Sequence, residues 1–328
     1  MKNNLKKIVQ FVFFLLLGLF ILWWLYKDQN PQDILRILKE DVRYGWLLLA
    51  LFIGLLSHMS RTIRWQMMIE PLGKRPNFIN TFLSVLIGYL ANLAIPRMGE
   101  VSRCAVLSKH ENISFTKLLG SVVAERALDV ISMLVSLLLV FIFQGKILLS
   151  LSKRDFDFSG VRGFFTTPTP YIVALFIVGG IYLFRNRIKK WKFLYKIKEL
   201  WRKFREGFLS FKDIKNKPGF IFHSILIFFF YFLMMYVNFL AFSFTEHLSG
   251  LAGLTVFVFG TLAMVAPVQG GIGPWHFMVI TSLMAYGIGA NEAGVFALIV
   301  HGALNLMIVI FGLISMLILP FLNSKSKG

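Results

Sequence analysis

The chain has 328 residues, 57% of them hydrophobic and only 16% charged, with a mean hydropathy of +0.70. A soluble domain of this size would carry about 25% charged residues, so an ordinary globular enzyme is excluded. The net charge of +19 would suit a nucleic-acid binder, but the basic residues are distributed as a membrane topology signal, and no nucleic-acid partner is expected.

Six apolar runs, at 8–26, 46–59, 118–143, 171–184, 220–244 and 294–319, reach or approach the roughly 20 residues needed to cross about 30 Å of hydrocarbon. The first follows Lys2, Lys6 and Lys7, in the manner of a signal peptide. No small-residue cleavage site follows it, and Trp23, Trp24 and Tyr26 form an interfacial belt, so it is expected to remain as an anchor. Loop 27–43 is balanced in charge, with Lys27, Arg36, Lys39 and Arg43 against Asp28, Asp33, Glu40 and Asp41. The second span leads to Arg61, Arg64, Lys74 and Arg75, a cytoplasmic signature in which Arg61 and Arg64 are expected at the membrane edge.

Segment 185–217 is the most basic stretch, opposed only by Glu199, Glu206 and Asp213, and Lys325 and Lys327 close the chain. The positive-inside rule puts all of these, and the N-terminus, in the cytoplasm. That assignment closes only if segment 78–109 crosses an even number of times, as a re-entrant hairpin. Segment 250–288 must also cross an even number of times from the other side, as a hairpin or as two short helices broken between Pro267 and Pro274. The expected fold is therefore all-α: one polytopic membrane helix bundle over 1–328, with about six spans and two re-entrant or broken-helix hairpins, in a cytoplasmic-type (inner) membrane. Within 185–217, Leu194, Ile197, Trp201, Phe204, Phe208 and Phe211 recur at helical spacing. They make either an amphipathic helix on the inner leaflet or a solvated linker.

Two stretches resemble each other. Gly88-Tyr89-Leu90-Ala91-Asn92-Leu93-Ala94-Ile95-Pro96 is matched by Gly260-Thr261-Leu262-Ala263-Met264-Val265-Ala266-Pro267, and Glu125-Arg126-Ala127-Leu128-Asp129 by His301-Gly302-Ala303-Leu304-Asn305. The repeat units would run over about 78–143 and 250–319, and the odd number of crossings between them makes the pair inverted. Breaks in membrane helices persist only where they are buried in protein or line a wet cavity, and paired breaks in inverted repeats point to a transport site.

The candidate site residues lie at these breaks. Glu125, Arg126 and Asp129 stand in an apolar span, where each charge costs a few kcal/mol. They form either a polar centre in which Arg126 holds an anionic headgroup, or a structural cluster that pins the hairpin through Arg97 or Arg103. Arg97, Glu100 and Arg103 open a short helix whose N-terminus suits phosphate, with simple topology anchoring as the alternative. Glu100 would cap that helix or neutralise Arg103. Gly270, Gly271 and Gly273 permit tight turns at the second break. His276 and His301 are either proton relays or hydrogen-bonded packing residues. No cofactor or metal is expected, since the single cysteine, Cys104, excludes an internal disulfide and no Cys/His cluster has ligand spacing. There is likewise no nucleotide-binding motif.

Asn92…Pro96-Arg97-Met98-Gly99-Glu100…Arg103, Glu125-Arg126…Asp129 and Gly270-Gly271-Ile272-Gly273 resemble the transmembrane, flippase-like region of lysylphosphatidylglycerol synthases, over roughly 10–320. The resemblance implies a helical membrane domain that moves a lipid or lipid-linked headgroup between leaflets, with membrane lipids as partners. In that family the glycine turn is usually followed by a glutamate where this chain has His276, which puts an acidic role there in doubt. The aminoacyl-transferase half of the bifunctional synthases is not in this sequence, so synthesis of lysyl-lipid is not expected. The rival reading is a non-transporting accessory protein that binds an envelope-modifying enzyme.

Overall fold

A computed structural model describes residues 15–27, 29, 31–152, 199, 201–202, 204–206 and 208–324. Among them the regular elements are all helices: α1 (Leu15–Tyr26), α2 (Pro31–Glu40), α3 (Tyr44–Ile69), α4 (Phe78–Ala94), α5 (Met98–Glu111), α6 (Phe115–Ser152), α7 (Lys217–Phe239), α8 (Gly250–Ala263), α9 (Pro274–Ala285) and α10 (Ala290–Ser324). The chain is an all-α membrane helix bundle. Four stretches, Tyr44–Leu72, Phe115–Gly145, Lys217–Phe239 and Ala290–Asn323, are long and apolar enough to cross a membrane. The expected span 171–184 and much of 185–217 lie outside the described residues. Two expectations change. The balanced loop 27–43 contains the helix α2, and the span expected at 46–59 continues to Ile69.

Helix starts follow local chemistry. The Asn77 side chain accepts from Ile79 N–H (2.8 Å) and Asn80 N–H (3.3 Å) at α4, Asn216 accepts from Gly219 N–H (2.9 Å) at α7, and Ser249 accepts from Ala252 N–H (3.3 Å) at α8. Side-chain oxygens satisfy N–H groups that a helix start leaves unpaired. The outer flanks of α6, α7 and α10 present exposed apolar side chains such as Ile131, Leu138, Phe222, Ile225, Leu313 and Leu317, as a lipid-facing surface requires. Phe208 and Phe211 of the basic segment pack on Met68, Ala124 and Ile214, so part of its apolar face covers the bundle end.

Segment 77–111 departs and returns at one end of the bundle. α4 and α5 are joined only by Ile95, Pro96 and Arg97 and pack on one another. At their contact, a Cβ on Gly88 would lie 2.9 Å from the Gly99 carbonyl oxygen, and one on Gly99 would meet the Gly88 carbonyl and the Asn92 amide. Small residues are what permit such close approach between membrane helices. At the mouth of this hairpin, Glu111 accepts from Asn77 N–H (3.1 Å) and Asn80 Nδ2 (2.7 Å) and pairs with Lys74 Nζ (2.8 Å).

α8 and α9 form a second hairpin. Tyr286, just beyond α9, hydrogen-bonds Thr255 in the second turn of α8 (Oη to Oγ1, 2.9 Å). The bend between the helices holds Gly270, Gly271 and Gly273 at φ of 57°, 74° and 92°, angles that side chains larger than glycine rarely adopt.

α10 relates the two hairpins. It starts at Ala290, next to the second mouth, and its 35 residues extend roughly 52 Å at 1.5 Å per residue. Near its far end Asn323 exchanges hydrogen bonds with Asn80 at the first mouth (3.1 and 2.9 Å). The two hairpins thus open at opposite ends. Their tips meet between: a Cβ on Gly270 would stand 2.8 Å from Leu93 of α4, and His301 of α10 holds the Gly270 carbonyl (2.9 Å). The two broken segments that the sequence singles out enter from opposite ends and meet at their tips.

Candidate functional site

Glu125 lies ten residues beyond Phe115, the first residue of α6, roughly 15 Å along that helix. Its side chain has no exposure, and every oxygen is engaged. Oε1 accepts from Arg61 Nη1 (2.5 Å), Arg64 Nη2 (3.2 Å) and Arg126 Nη2 (3.2 Å), and Oε2 accepts from Arg103 Nη2 (2.8 Å). One turn on, Asp129 accepts from Arg61 (2.8 Å) and Arg64 (2.6 Å) and pairs with Arg126 (3.2 Å). Helical geometry dictates this convergence. Glu125 and Asp129 are i, i+4 on α6, and Arg61 and Arg64 are i, i+3 on α3, so each pair shares a face. Arg103 reaches in from α5 with its guanidinium 4.6 Å from the Trp65 ring centroid, and the Trp65 indole N–H donates to Ser121 (3.1 Å).

The cluster corrects the expectation that Arg61 and Arg64 sit at the membrane edge. They are 3% and 0% exposed, because α3 does not end at residue 59 but continues past both of them. Of the two readings offered for Glu125 and Asp129, the pinning role is present: Arg103–Glu125 ties the first hairpin to α6, and Arg61 and Arg64 tie α3 to the same two carboxylates.

The charges do not balance. Four guanidinium groups, on Arg61, Arg64, Arg103 and Arg126, face two carboxylates, on Glu125 and Asp129. Buried N–H donors also remain unpartnered at Arg61 Nε, Arg64 Nε and Nη1, and Arg126 Nε. An unsatisfied buried donor costs about 1–3 kcal/mol, more when charged. The Arg126 side chain, alone in this group, is substantially exposed, at 42%. It emerges on α6 between the exposed residues Val123, Ala127 and Val130, so the cluster reaches the outer flank of α6. Tyr89 of α4 and Tyr231 of α7 stand hydroxyl to hydroxyl at 3.3 Å, within electrostatic reach of Arg61, and the His58 ring lies against Tyr89, centroids 4.3 Å apart and planes tilted by 37°. The spacing of Arg61 and Arg64 within a continuing apolar helix (Trp65, Met67, Met68, Ile69) was the one sequence signal for their burial. Nothing comparable marked Tyr89, Tyr231 or His58.

The other expected residues are placed elsewhere. Arg97, exposed and at φ 61°, forms the first hairpin's tip and makes no ion pair among the described residues. Glu100 neither caps α5 nor neutralises Arg103; its Oε2 is buried without a partner, and Arg103 pairs with Glu125 instead. The start of α5 is also a poorer phosphate site than its sequence implies. Its Gly99 N–H is already taken by Asn92 Oδ1 (2.6 Å) and its Met98 N–H by the Ile95 carbonyl (3.1 Å). Gly270, Gly271, Gly273 and His276 form a separate constellation at the second tip. There Gly273 lies against Gly18 and Ile21 of α1, and the His276 and His301 rings meet edge to face at 4.6 Å, with Trp275 stacked on His301 at 4.7 Å. Two surface clefts, of about 680 and 480 Å³, lie at opposite ends of the bundle, and none of the four clustered arginines lines either.

Comparison with known proteins agrees with this architecture. Over its full length the chain is 26% identical to a UPF0104 membrane protein of Methanocaldococcus jannaschii, covering 98% of that protein. It is also 27% identical over 143 residues to a UPF0104 membrane protein of Pyrococcus horikoshii, a match covering 42% of this chain and 41% of the other. No solved structure shows a significant match. The profile of the lysylphosphatidylglycerol synthase TM region matches residues 9–312, and the chain belongs to that family.

Proposed function

We propose that this protein moves lipids with anionic headgroups between the leaflets of a cytoplasmic membrane, without making or breaking covalent bonds. The observation that carries the reading is the buried arginine cluster: it holds more positive charge than its own carboxylates neutralise, keeps unpartnered N–H donors, and reaches the outer flank of α6 at Arg126. Charged groups inside a membrane bundle mark substrate pathways more often than packing sites. Two hairpins entering from opposite ends, with tips in contact, support alternating exposure of such a site. Lys74, Lys109, Lys117, Arg205, Lys212 and Lys215 gather at the mouth of the first hairpin and the adjoining helix ends, which supports a cytoplasmic location for that end and for both termini. Ion pairing engages both Glu125 and Asp129, so we assign them to holding the arginines rather than to carrying protons.

Proteoliposomes containing a headgroup-labelled anionic lipid and an outer-leaflet quencher test the proposal. The labelled lipid should become accessible faster than in protein-free vesicles. Arg126→Gln should slow that movement about tenfold or more, as the loss of a charge-assisted contact worth about 1.5–3 kcal/mol implies. Equal rates with and without protein would overturn the reading.

A further inference from the structure

Resting on that reading, the charge balance of the cluster narrows the headgroup: we infer that the site is built for a doubly charged phosphate, a lipid phosphomonoester, in preference to a singly charged phosphodiester. Arg61, Arg64, Arg103 and Arg126 supply four positive charges, and Glu125 and Asp129 supply two negative ones. Nearer the tip, Arg97 is exposed and Glu100 pairs with none of these four arginines, so neither enters the count. The surplus is two. It sits where Arg64 and Glu125 have no exposure and Arg61 and Arg103 almost none, in surroundings that penalise an uncompensated charge heavily.

A phosphodiester headgroup carries one negative charge and would leave one guanidinium uncompensated. A phosphomonoester is close to dianionic above its second pKa of about 6 and closes the balance. The donors also suit it. Arg61 Nε, Arg64 Nε and Nη1 and Arg126 Nε are buried N–H groups without acceptors, and a terminal phosphate offers three non-bridging oxygens where a diester offers two. Tyr89 and Tyr231, whose hydroxyls meet beside Arg61, add one neutral donor, the other O–H being spent on the bond between them. Arg126 is the open side of the site, so a lipid keeps its chains outside α6 while its headgroup turns inward.

The test is binding of short-chain lipids to the full chain in mild detergent at pH 8. Dioctanoyl phosphatidic acid serves as the monoester, dioctanoyl phosphatidylglycerol as the diester, dioctanoyl phosphatidylcholine as the zwitterionic control, and inorganic phosphate as the free anion. Phosphatidic acid should bind about tenfold or more tightly than phosphatidylglycerol, each tenfold step corresponding to about 1.4 kcal/mol. Arg126→Gln, which removes one of the two surplus charges, should collapse that preference to within about threefold. Arg126→Lys, which keeps the charge, should retain it. Phosphatidylglycerol binding as tightly as phosphatidic acid would overturn the charge selection while leaving anionic-lipid transport standing. Neither lipid binding above phosphatidylcholine would overturn both. Inorganic phosphate binding as tightly as phosphatidic acid would assign the site to a free anion and overturn the lipid inference. Should Arg126→Gln fail to fold, the comparison of ligands on the unmodified chain decides alone.

Discussion

Glu125 is the residue through which the bundle is joined. It accepts from arginines on α3, α5 and α6 at once and has no exposure. Removing one partner from a buried ion pair typically costs about 3–5 kcal/mol, mostly because the other charge is left uncompensated. Glu125→Ala leaves Arg103 without a carboxylate and Arg61 and Arg64 sharing Asp129 alone, so its thermal midpoint in detergent should fall sharply, with loss of folded protein as the extreme. Arg126→Ala should behave differently. Its contacts with Glu125 and Asp129 are both 3.2 Å and its side chain is 42% exposed, so the effect on stability should stay below about 1 kcal/mol while lipid movement is lost. Equal thermal losses in the two variants would mean that Arg126 is structural. At this scale the sequence was half legible. Glu125, Arg126 and Asp129 stand out because charge inside an apolar run is conspicuous. Arg61 and Arg64 do not, because they follow an apolar run and are succeeded by further basic residues, as flanking topology residues are. Only the continuation of α3 through Trp65 and Met68 separates the two cases.

At the scale of elements, the first hairpin depends on the close approach of α4 and α5. A larger residue at Gly99 would meet the Gly88 carbonyl and the Asn92 amide, whose Oδ1 already holds the Gly99 N–H. Gly99→Val should therefore separate the helices, withdraw Arg103 from Glu125 and lower both stability and transport. Gly73→Ala is a poor control because Gly73 has φ 115°, whereas Gly45→Ala meets nothing within 4 Å and should be silent. The mouth of the same hairpin should respond to acid. Burial opposes ionisation of Glu111, but hydrogen bonds from Lys74, Asn80 and the Asn77 N–H outweigh it and hold the carboxyl below its usual value of 4.5. A depressed folded pKa contributes stability that is present above the unfolded value and disappears as pH falls through the folded one. The thermal midpoint should accordingly fall as pH drops below about 4.5, and Glu111→Gln should flatten part of that fall. A variant with unchanged acid sensitivity would remove Glu111 from the account. The break itself was legible at Pro96 and the glycines around it. The weak phosphate-binding capacity of α5 was not, since it depends on where Asn92 points after the turn.

Over the whole molecule, the observation that organises the rest is that one helix, α10, runs from the mouth of the second hairpin past its tip and along α4 to the mouth of the first. Hydropathy predicted the four long spans found among the described residues, because it is a sum over many residues and tolerates local error. The requirement that 78–109 cross an even number of times followed from the positive-inside rule, and the Asn77–Glu111 and Asn80–Asn323 hydrogen bonds give it a geometry. That geometry makes a topological prediction. With the buried Cys104 replaced by alanine, single cysteines at Asn112, just past α5, and at Gly289, just before α10, are both exposed positions at hairpin mouths. A membrane-impermeant thiol reagent should label them from opposite faces: Asn112→Cys in inside-out vesicles, and Gly289→Cys in right-side-out vesicles. A cysteine at Arg97, the exposed first tip, discriminates further. If the tips alternate between leaflets, Arg97→Cys should be labelled from each side at a rate that added anionic lipid changes, while the two mouth positions stay constant. Labelling of Asn112→Cys and Gly289→Cys from the same face would mean that the hairpins share an opening, and a transport cycle built on their opposition would have no structural basis.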